Sequence, residues 1–567
     1  MRYLFIVLII FSIVTCGRNE TSDNTPIETN EDLIAHTLEF KKEIIEVTKG
    51  IHVAIGYSLA NSILIEGHGG NIIIDTTGSV EKGNEIRELF SKINSNPITA
   101  IIYTHNHGDH TFGARAFYSH DNPEIYSHES TEKYVNRIIG VLRPAISKRS
   151  NRMFGSTFPL ERIENNGIGH FLEIGRKGNT TGYLPPTKTF KESLEVKIAG
   201  IDIKLFHAPG ETNDQIFVWI PEKKALFPGD NFYKAFPNLY TIRGTPYRDL
   251  VSWVKSIDKM RYLHPEYLIP SHTKPLIGKD LIHTELTNYR DAIQFVHDQT
   301  IRMINKGMTP NEISSLLTLP PHLISSPFLK EFYGSPSWSA RNVFSGYLGW
   351  FDGNPTSLNP LSPETESKKM IELAGGWQSL LHITEEAFLK GELQWTLQLT
   401  DYLLEEDSKN EKVLSIREKT LIALGEKQSN PNARYYYLSS AEELKPSFKK
   451  LDILSQNSES IRGFPIEAFL ESLKVNVVAE RVYDKDLYLL LKFKDTSKIY
   501  SLILRKGILE IQPFEISGDR IEVETTETIW KEILVGIRSL PVSMASGAVT
   551  VKGDKLKVIS FFNSFKE

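Results

Sequence analysis

Residues 101–113 read IIYTHNHGDHTFG, an apolar run that breaks into three histidines and one aspartate within six positions. That transition constrains the fold more than any other feature of the chain. ITAIIYT is strand-like, and a polar cluster directly after it sits at a strand end, where open α/β sheets place their functional groups. Three later stretches repeat the pattern: IDIKLFHAPGETNDQIFVWI, KKALFPGDNF and PEYLIPSHTKP. Upstream, VTKGIHVAIG, SLANSILIEG and NIIIDTTG are short Ile/Val-rich runs bounded by Gly or Asp, and VEKGNEIRELFSKI has helical spacing. Strand, helix, strand and loop in this alternation predict an α/β domain.

The residue types of the cluster point to metal. In an extended segment residues two apart face the same way, so His105 and His107 can reach one ion. Asp109 and His110 follow the flexible Gly108 and can face a second ion beside it. Packing gains nothing from four such side chains in six residues. Imidazole and carboxylate without thiolate suit Zn²⁺, and Mn²⁺ or Fe²⁺ also accept this donor set. Most other histidines, among them His52, His170, His264 and His283, lack partners at useful spacing and read as surface or satisfied core. His207 reads as packing; His120 and His128 follow the cluster and could approach it. Asp214 could orient a ligand or cap the following strand.

The chain has 567 residues, too many for one compact core. Met1-Arg2 precedes YLFIVLIIFSIVT and then Cys16, the only cysteine. A basic start and an apolar run of this length predict a signal peptide over 1–16. IVTCG resembles a bacterial lipobox, which implies export, a lipid on Cys16 and attachment to a membrane on its periplasmic or cell-surface side. Residues 17–40 are polar and aperiodic at their start, as a tether is. With no further cysteine, disulfides and thiolate ligands are excluded from the mature chain. The 65 Lys+Arg against 70 Asp+Glu, without a dense basic run, exclude a nucleic-acid partner.

Past the last cluster the texture changes. Residues 279–430 carry apolar residues at helical spacing, such as Trp395, Leu399, Tyr402 and Leu403, and NVFSGYLGWFDGNPTSLNPLSPE predicts a loop within them. The tail returns to α/β: Leu487, Leu489, Leu491 and Phe493 share a strand face, and Trp530, Ile533, Leu534 and Ile537 form a helical stripe.

THNHGDH resembles the H-x-H-x-D-H signature of the metallo-β-lactamase superfamily, which implies an αββα sandwich. The closer resemblance is to the alkylsulfatases of that superfamily. It is carried by FPGDNFYKAFPNLYTIRGTPYRDLVSWVKSID, by RMFGSTFP and GYLPPT of an inserted loop, and by LGWFDGNPTSLNPLSPE of a helical dimerisation domain. The resemblance implies a catalytic domain over 41–278, a dimerisation domain over 279–430 that makes a homodimer, and a sterol-carrier-like α+β domain over 431–567. Carried over position by position, His105, His107 and Glu211 hold a first zinc, Asp109, His110 and His272 a second, and Asp230 bridges them. Arg243, Asn238 and Tyr240 then meet the sulfate group of the substrate. Four positions depart from family patterns. Glu211 stands where lactamases have histidine, Asp230 where the alkylsulfatases have glutamate, and Lys234 and Pro237 where they often have histidine.

The expected reaction is hydrolysis of an alkyl sulfate ester to alcohol and sulfate. Paired divalent ions bring the pKa of a shared water towards neutrality, and Arg243 offers bidentate hydrogen bonds to the departing anion. Two other readings stay open at this stage. One is a dinuclear hydrolase of another ester, lactone or lactam; the other is a lipid-binding protein with an inactive metal site.

Overall fold

The computed structural model describes residues 29–118, 122–449 and 458–565. The expected signal peptide, Cys16, the start of the tether and His120 lie outside these residues.

Among the described residues, Glu43–Thr48, Ile51–Ile55, Ser62–Glu66, Asn71–Ile74, Ile98–Ile102, Glu124–His128 and Lys188–Phe190 form one sheet in that spatial order. Its first four strands pair antiparallel and its last four parallel. A second sheet runs Leu276–Ile277, Tyr267–Leu268, Ala225–Phe227, Ile216–Ile220, Ile201–His207, Ser193–Ile198. Alternation along the strands explains how the two stack. Ile63, Ile65, Ile72 and Ile74 meet Leu205, Ile216, Val218 and Ile220 in one core between the sheets. The residues between them point the other way, so each sheet is apolar on both faces and needs a helical cover.

The covers differ in origin. Leu64, Ile73 and Ile101 pack against Ile86 and Phe90 of the helix Val80–Ile93, which Ser79 caps at Lys82 N. Phe217, Trp219 and Leu226 pack against Trp253 and Ile257 of Leu250–Arg261 and against Leu286 of Lys279–Ile304. The 26-residue helix Lys279–Ile304, where the helical region was expected to begin, therefore roofs the second sheet of the αββα sandwich.

Helices continue from Pro310 to Glu442. The loop expected over residues 342–364 begins late: the helix Pro336–Leu348 runs on through Asn342 and ends only at Gly349, with φ +79. Its buried stripe, Ala340, Val343 and Phe344, outweighs the local glycine and aromatic signals. Leu399 and Leu403 are buried in the helix Leu393–Glu406, whereas Trp395 is exposed. In the tail, a sheet ordered Ile508–Gln512, Ile499–Arg505, Asp486–Phe493, Ile521–Thr525, Thr550–Lys552 buries Leu489, Leu491 and Phe493. The helix carrying Trp530 and Ile533 stops at Leu534, so Ile537 does not share its stripe; Gly536, with φ +81, turns the chain away.

Candidate metal centre

Both sheets deliver side chains to one edge of the sandwich. The strand Ile98–Ile102 leads to His105 and His107, and the helical turn Gly108–Thr111 presents Asp109 and His110. The hairpin between Ile201–His207 and Ile216–Ile220 carries Glu211 and Asp214. The strand Ala225–Phe227 leads to Asp230 in the turn Gly229–Asn231, and Tyr267–Leu268 leads towards His272. Close packing at Gly113 fixes the first loop: a Cβ there would meet the Thr76 carbonyl oxygen at 1.9 Å.

Two buried triads result, His105, His107 and Asp230 in one and Asp109, His110 and His272 in the other, with the donor atoms of each within 4.8 Å of one another. His105 Nε2 faces His107 Nδ1 at 2.8 Å. Asp230 Oδ2 lies 3.6 Å from His105 Nε2, 3.4 Å from His110 Nε2 and 3.2 Å from His272 Nε2. It is the atom that touches both triads. Asp109 Oδ2 lies 3.4 Å from His110 Nε2 and 3.5 Å from His272 Nε2.

The outward nitrogens are spoken for. His110 Nδ1 donates to Asp75 Oδ2 at 2.8 Å, and His272 Nδ1 to the Leu59 carbonyl at 2.9 Å. These bonds aim each Nε2 inward. The inward atoms are not satisfied: His110 Nε2, His272 Nε2 and Asp230 Oδ1 are buried with no hydrogen bond. Convergent, unsatisfied imidazole and carboxylate donors are what divalent cations need. The residues fit the group.

Electrostatics lead to the same conclusion. Burial holds the His105 pKa down to about 3, and burial with the nearby Arg243 holds His107 well below its ordinary value. His110 and His272 are raised instead, because Asp230 and Asp109 outweigh their burial. Those histidines in turn pull Asp230 well below the carboxylate range and Asp109 to about 2, against the burial that would raise both. The buried carboxylates Asp109 and Asp230 call for positive charge beside them. A dication held by the two triads would supply it.

Two cavities meet at the centre. One is apolar, walled by Leu59, Phe112, Phe154, Leu172, Ile174 and Tyr333, and reaches Asp109 and Asp230. The other is polar and carries Arg137, Arg243 and Arg248. His107, Ile138, Ile146 and Arg243 line both.

Three family models match the chain: the metallo-beta-lactamase superfamily over residues 55–272, alkyl sulfatase dimerisation over 309–447, and the alkyl sulfatase C-terminal domain over 455–567. The linear primary-alkylsulfatase of a Pseudomonas strain is 32% identical over 528 residues, which cover 88% of this chain and 98% of the relative. The chain belongs to the alkylsulfatase family. An (R)-specific secondary-alkylsulfatase of Pseudomonas sp. is 26% identical over 92% of this chain and 80% of its own. The structure of the stereoselective inverting sec-alkylsulfatase Pisa1 from Pseudomonas sp. superimposes with a TM-score of 0.88 at 25% identity, covering 95% of this chain and 87% of that one. The αββα sandwich, the helical middle region and the α+β tail are therefore those of this family, and the two triads are groups that could hold divalent metal.

Within that frame the expected site residues divide. His105, His107, Asp109, His110, Asp230 and His272 converge. Glu211 is buried beside them but belongs to neither triad: Arg248 Nη1 lies 3.1 Å from its Oε1, and Tyr233 donates to its Oε2 at 3.0 Å. Burial lifts its pKa to about 7, with Arg248 opposing. Arg243 Nη2 lies 3.1 Å from His107 Nε2, at the junction of the cavities. Asn238 is fully buried, its side-chain amide unpartnered, and lines neither cavity; half-buried Tyr240 lines neither as well. Lys234 points elsewhere, to Glu39 Oε1 at 2.5 Å. His207 stacks on His128 at 4.0 Å, apart from both triads. Asp214 accepts a hydrogen bond from Asn106, between the first two histidines.

Two residues of the site escaped the sequence reading. Asp75 accepts from His110, Thr104 N, Thr104 Oγ1 and Ser271 Oγ. Its signal was present, an acidic residue ending the strand run NIIID beside the strand that leads to the histidines. Arg248 left no such signal.

Proposed function

We propose that the chain hydrolyses alkyl sulfate esters, R–O–SO₃⁻ and water giving R–OH, sulfate and a proton, at a pair of zinc ions. His105, His107 and Asp230 would hold the first ion and Asp109, His110 and His272 the second, with Asp230 shared and Glu211 joining the first on leaving Arg248. Bound there, such a pair supplies Lewis acidity and activates water for attack near neutral pH. The chain's own groups do the rest. Arg243 meets the anionic oxygens with paired N–H donors. The apolar cavity takes the alkyl chain and keeps water from it.

One observation carries the reading: an apolar cavity opens onto both triads at the point where Arg243 stands. That pairing suits an amphiphile with an anionic head. Purified chain loaded with zinc is expected to release sulfate from dodecyl sulfate, and Arg243→Ala to lose 10²–10³-fold in rate, on the order of one strong transition-state contact, while keeping its metal. Faster turnover of a phosphate monoester or a lactone in the same panel overturns the assignment.

The helical region leaves Trp350 73%, Leu373 80% and Leu389 83% exposed, which supports a homodimer through it. Sedimentation of the purified chain measures that. The sequence alone supports export and a lipid on Cys16; incorporation of a palmitate analogue that Cys16→Ser abolishes is the test.

A further inference from the structure

The polar cavity holds more positive charge than its walls neutralise. Three arginines line it, Arg137, Arg243 and Arg248, against a single carboxylate, Glu211. Arg248 is committed to Glu211 and to the Asn238 carbonyl. Arg243 reaches His107. Among the described residues the guanidinium of Arg137 has neither a hydrogen bond nor an ion pair.

Its position is nonetheless built. Arg137 belongs to the helix Thr131–Ile139, whose Val135 and Ile139 are buried in the core. Tyr134, Arg137 and Ile138, at i, i+3 and i+4, form another face, and all three line the cavity. Asn213, two residues beyond Glu211, donates to the Tyr134 hydroxyl at 3.3 Å and ties this helix to the opposite wall. The Cα of Arg137 is thus fixed on a rigid element, while its charged end is left for something the chain does not supply.

After its partial burial, the strongest influence on the Arg137 side chain is the like charge of Arg243, which lowers its pKa further. Two guanidiniums facing a shared, partly desolvated space repel unless an anion lies between them. The next residue of the helix, Ile138, also lines the apolar cavity. The charged lobe therefore continues directly into the lobe suited to a hydrocarbon chain.

We propose that Arg137 is a second anion-binding residue of the site, which with Arg243 takes the sulfate group of an alkyl sulfate at the mouth of the polar lobe. This rests on the sulfatase reading for the identity of the anion. An exposed arginine elsewhere on the surface would do nothing specific, so the test separates charge recognition from structure.

The probe is 1-octanesulfonate, whose C–S bond is not an ester, with 1-octanol as its neutral counterpart. Both are titrated by calorimetry into zinc-loaded full-length chain, wild type, Arg137→Gln and Arg137→Lys, at low and high salt. Arg137→Gln is expected to weaken octanesulfonate roughly tenfold, the value of about one charge-assisted contact, and to leave octanol unchanged. It should also flatten the salt dependence and raise KM for octyl sulfate more than it lowers kcat. Arg137→Lys should recover most of the affinity. Unaltered octanesulfonate binding in Arg137→Gln, or an equal loss for octanol, overturns the proposal. Should wild type bind octanesulfonate through Arg137 yet release no sulfate from octyl sulfate, the sulfatase reading fails and the anion site stands.

Discussion

Asp75 offers the sharpest test of how the centre is held. Its carboxylate is fully buried and receives four donors: Thr104 N at 2.9 Å on Oδ1, and Thr104 Oγ1 at 2.8 Å, His110 Nδ1 at 2.8 Å and Ser271 Oγ at 2.6 Å on Oδ2. It joins the first histidine loop to the loop of His272, and its backbone sits at φ 57, in the left-handed region that Asp tolerates better than most residues. In Asp75→Asn, the amide orientation that serves most donors keeps its oxygen at the place of Oδ2. Its nitrogen then faces the Thr104 amide, donor against donor. One orphaned buried donor costs about 1–3 kcal/mol, and loss of the charge on the His110 bond adds about 1 kcal/mol. The expected local loss is about 3 kcal/mol, which is two orders of magnitude in exchange rate where local opening governs it. Hydrogen–deuterium exchange of residues 101–111 in chelator-treated protein reads that directly. Metal analysis of the loaded variant should show the second ion bound 10–100-fold more weakly, the usual effect of removing a carboxylate behind a ligating histidine. Wild-type protection of that segment together with full retention of two ions would refute the reasoning.

Arg248→Met removes the cation paired with buried Glu211, pushes its pKa further up so that it takes a proton, and is expected to cost up to about 3 kcal/mol in chelator-treated protein. The loss should shrink on metal loading if Glu211 then joins the first ion; equal loss in both states, by denaturant titration, speaks against that ligand. His36 gives a prediction about acid. Its ring accepts burial against Phe332, stacked at 4.0 Å, with Nε2 2.7 Å from the Gly167 carbonyl. Burial lowers its pKa from 6.5 to about 4, so the unfolded chain binds the extra proton first and stability falls as pH drops from about 6.5 towards 4. Between pH 7.5 and 5 the His36 contribution is about 2 kcal/mol, which His36→Gln should remove from the pH dependence of unfolding.

The sandwich was legible because its alternation is strong. Runs such as NIII and IFVWI are apolar on both faces, which only a sheet packed on both sides accommodates, and Ser79 marks the start of the helix between them. Residues 342–348 were misjudged because glycine and aromatic content is a local signal, whereas the stripe Ala340, Val343 and Phe344 acts through tertiary burial. The cluster His105, His107, Asp109 and His110 was legible from identity and spacing, since few sequences cluster histidines without a metal to hold, whereas Asp230 and His272 were reached only through the family resemblance. The groups around them were not. Arg248 and Arg137 matter through the charge that faces them across a cavity, and that charge comes from residues far along the chain.

Position 230 shows how far spacing alone carries. The alkylsulfatase pattern leads one to expect glutamate there, and a side chain one methylene shorter should fall short of one triad. It does not, and the turn that carries it is tightly packed. Gly229 adopts φ 58, where a Cβ would lie 2.1 Å from Gln215 Nε2, so only glycine lets the turn pass this close beneath the centre. Asp230 Oδ2 stands within 3.6 Å of imidazoles from both triads. Gly229→Ala should therefore separate the triads' shared oxygen from one of them, and metal analysis should find the two sites no longer equally filled. Equal occupancy in that variant would mean that the carboxylate does not depend on the turn.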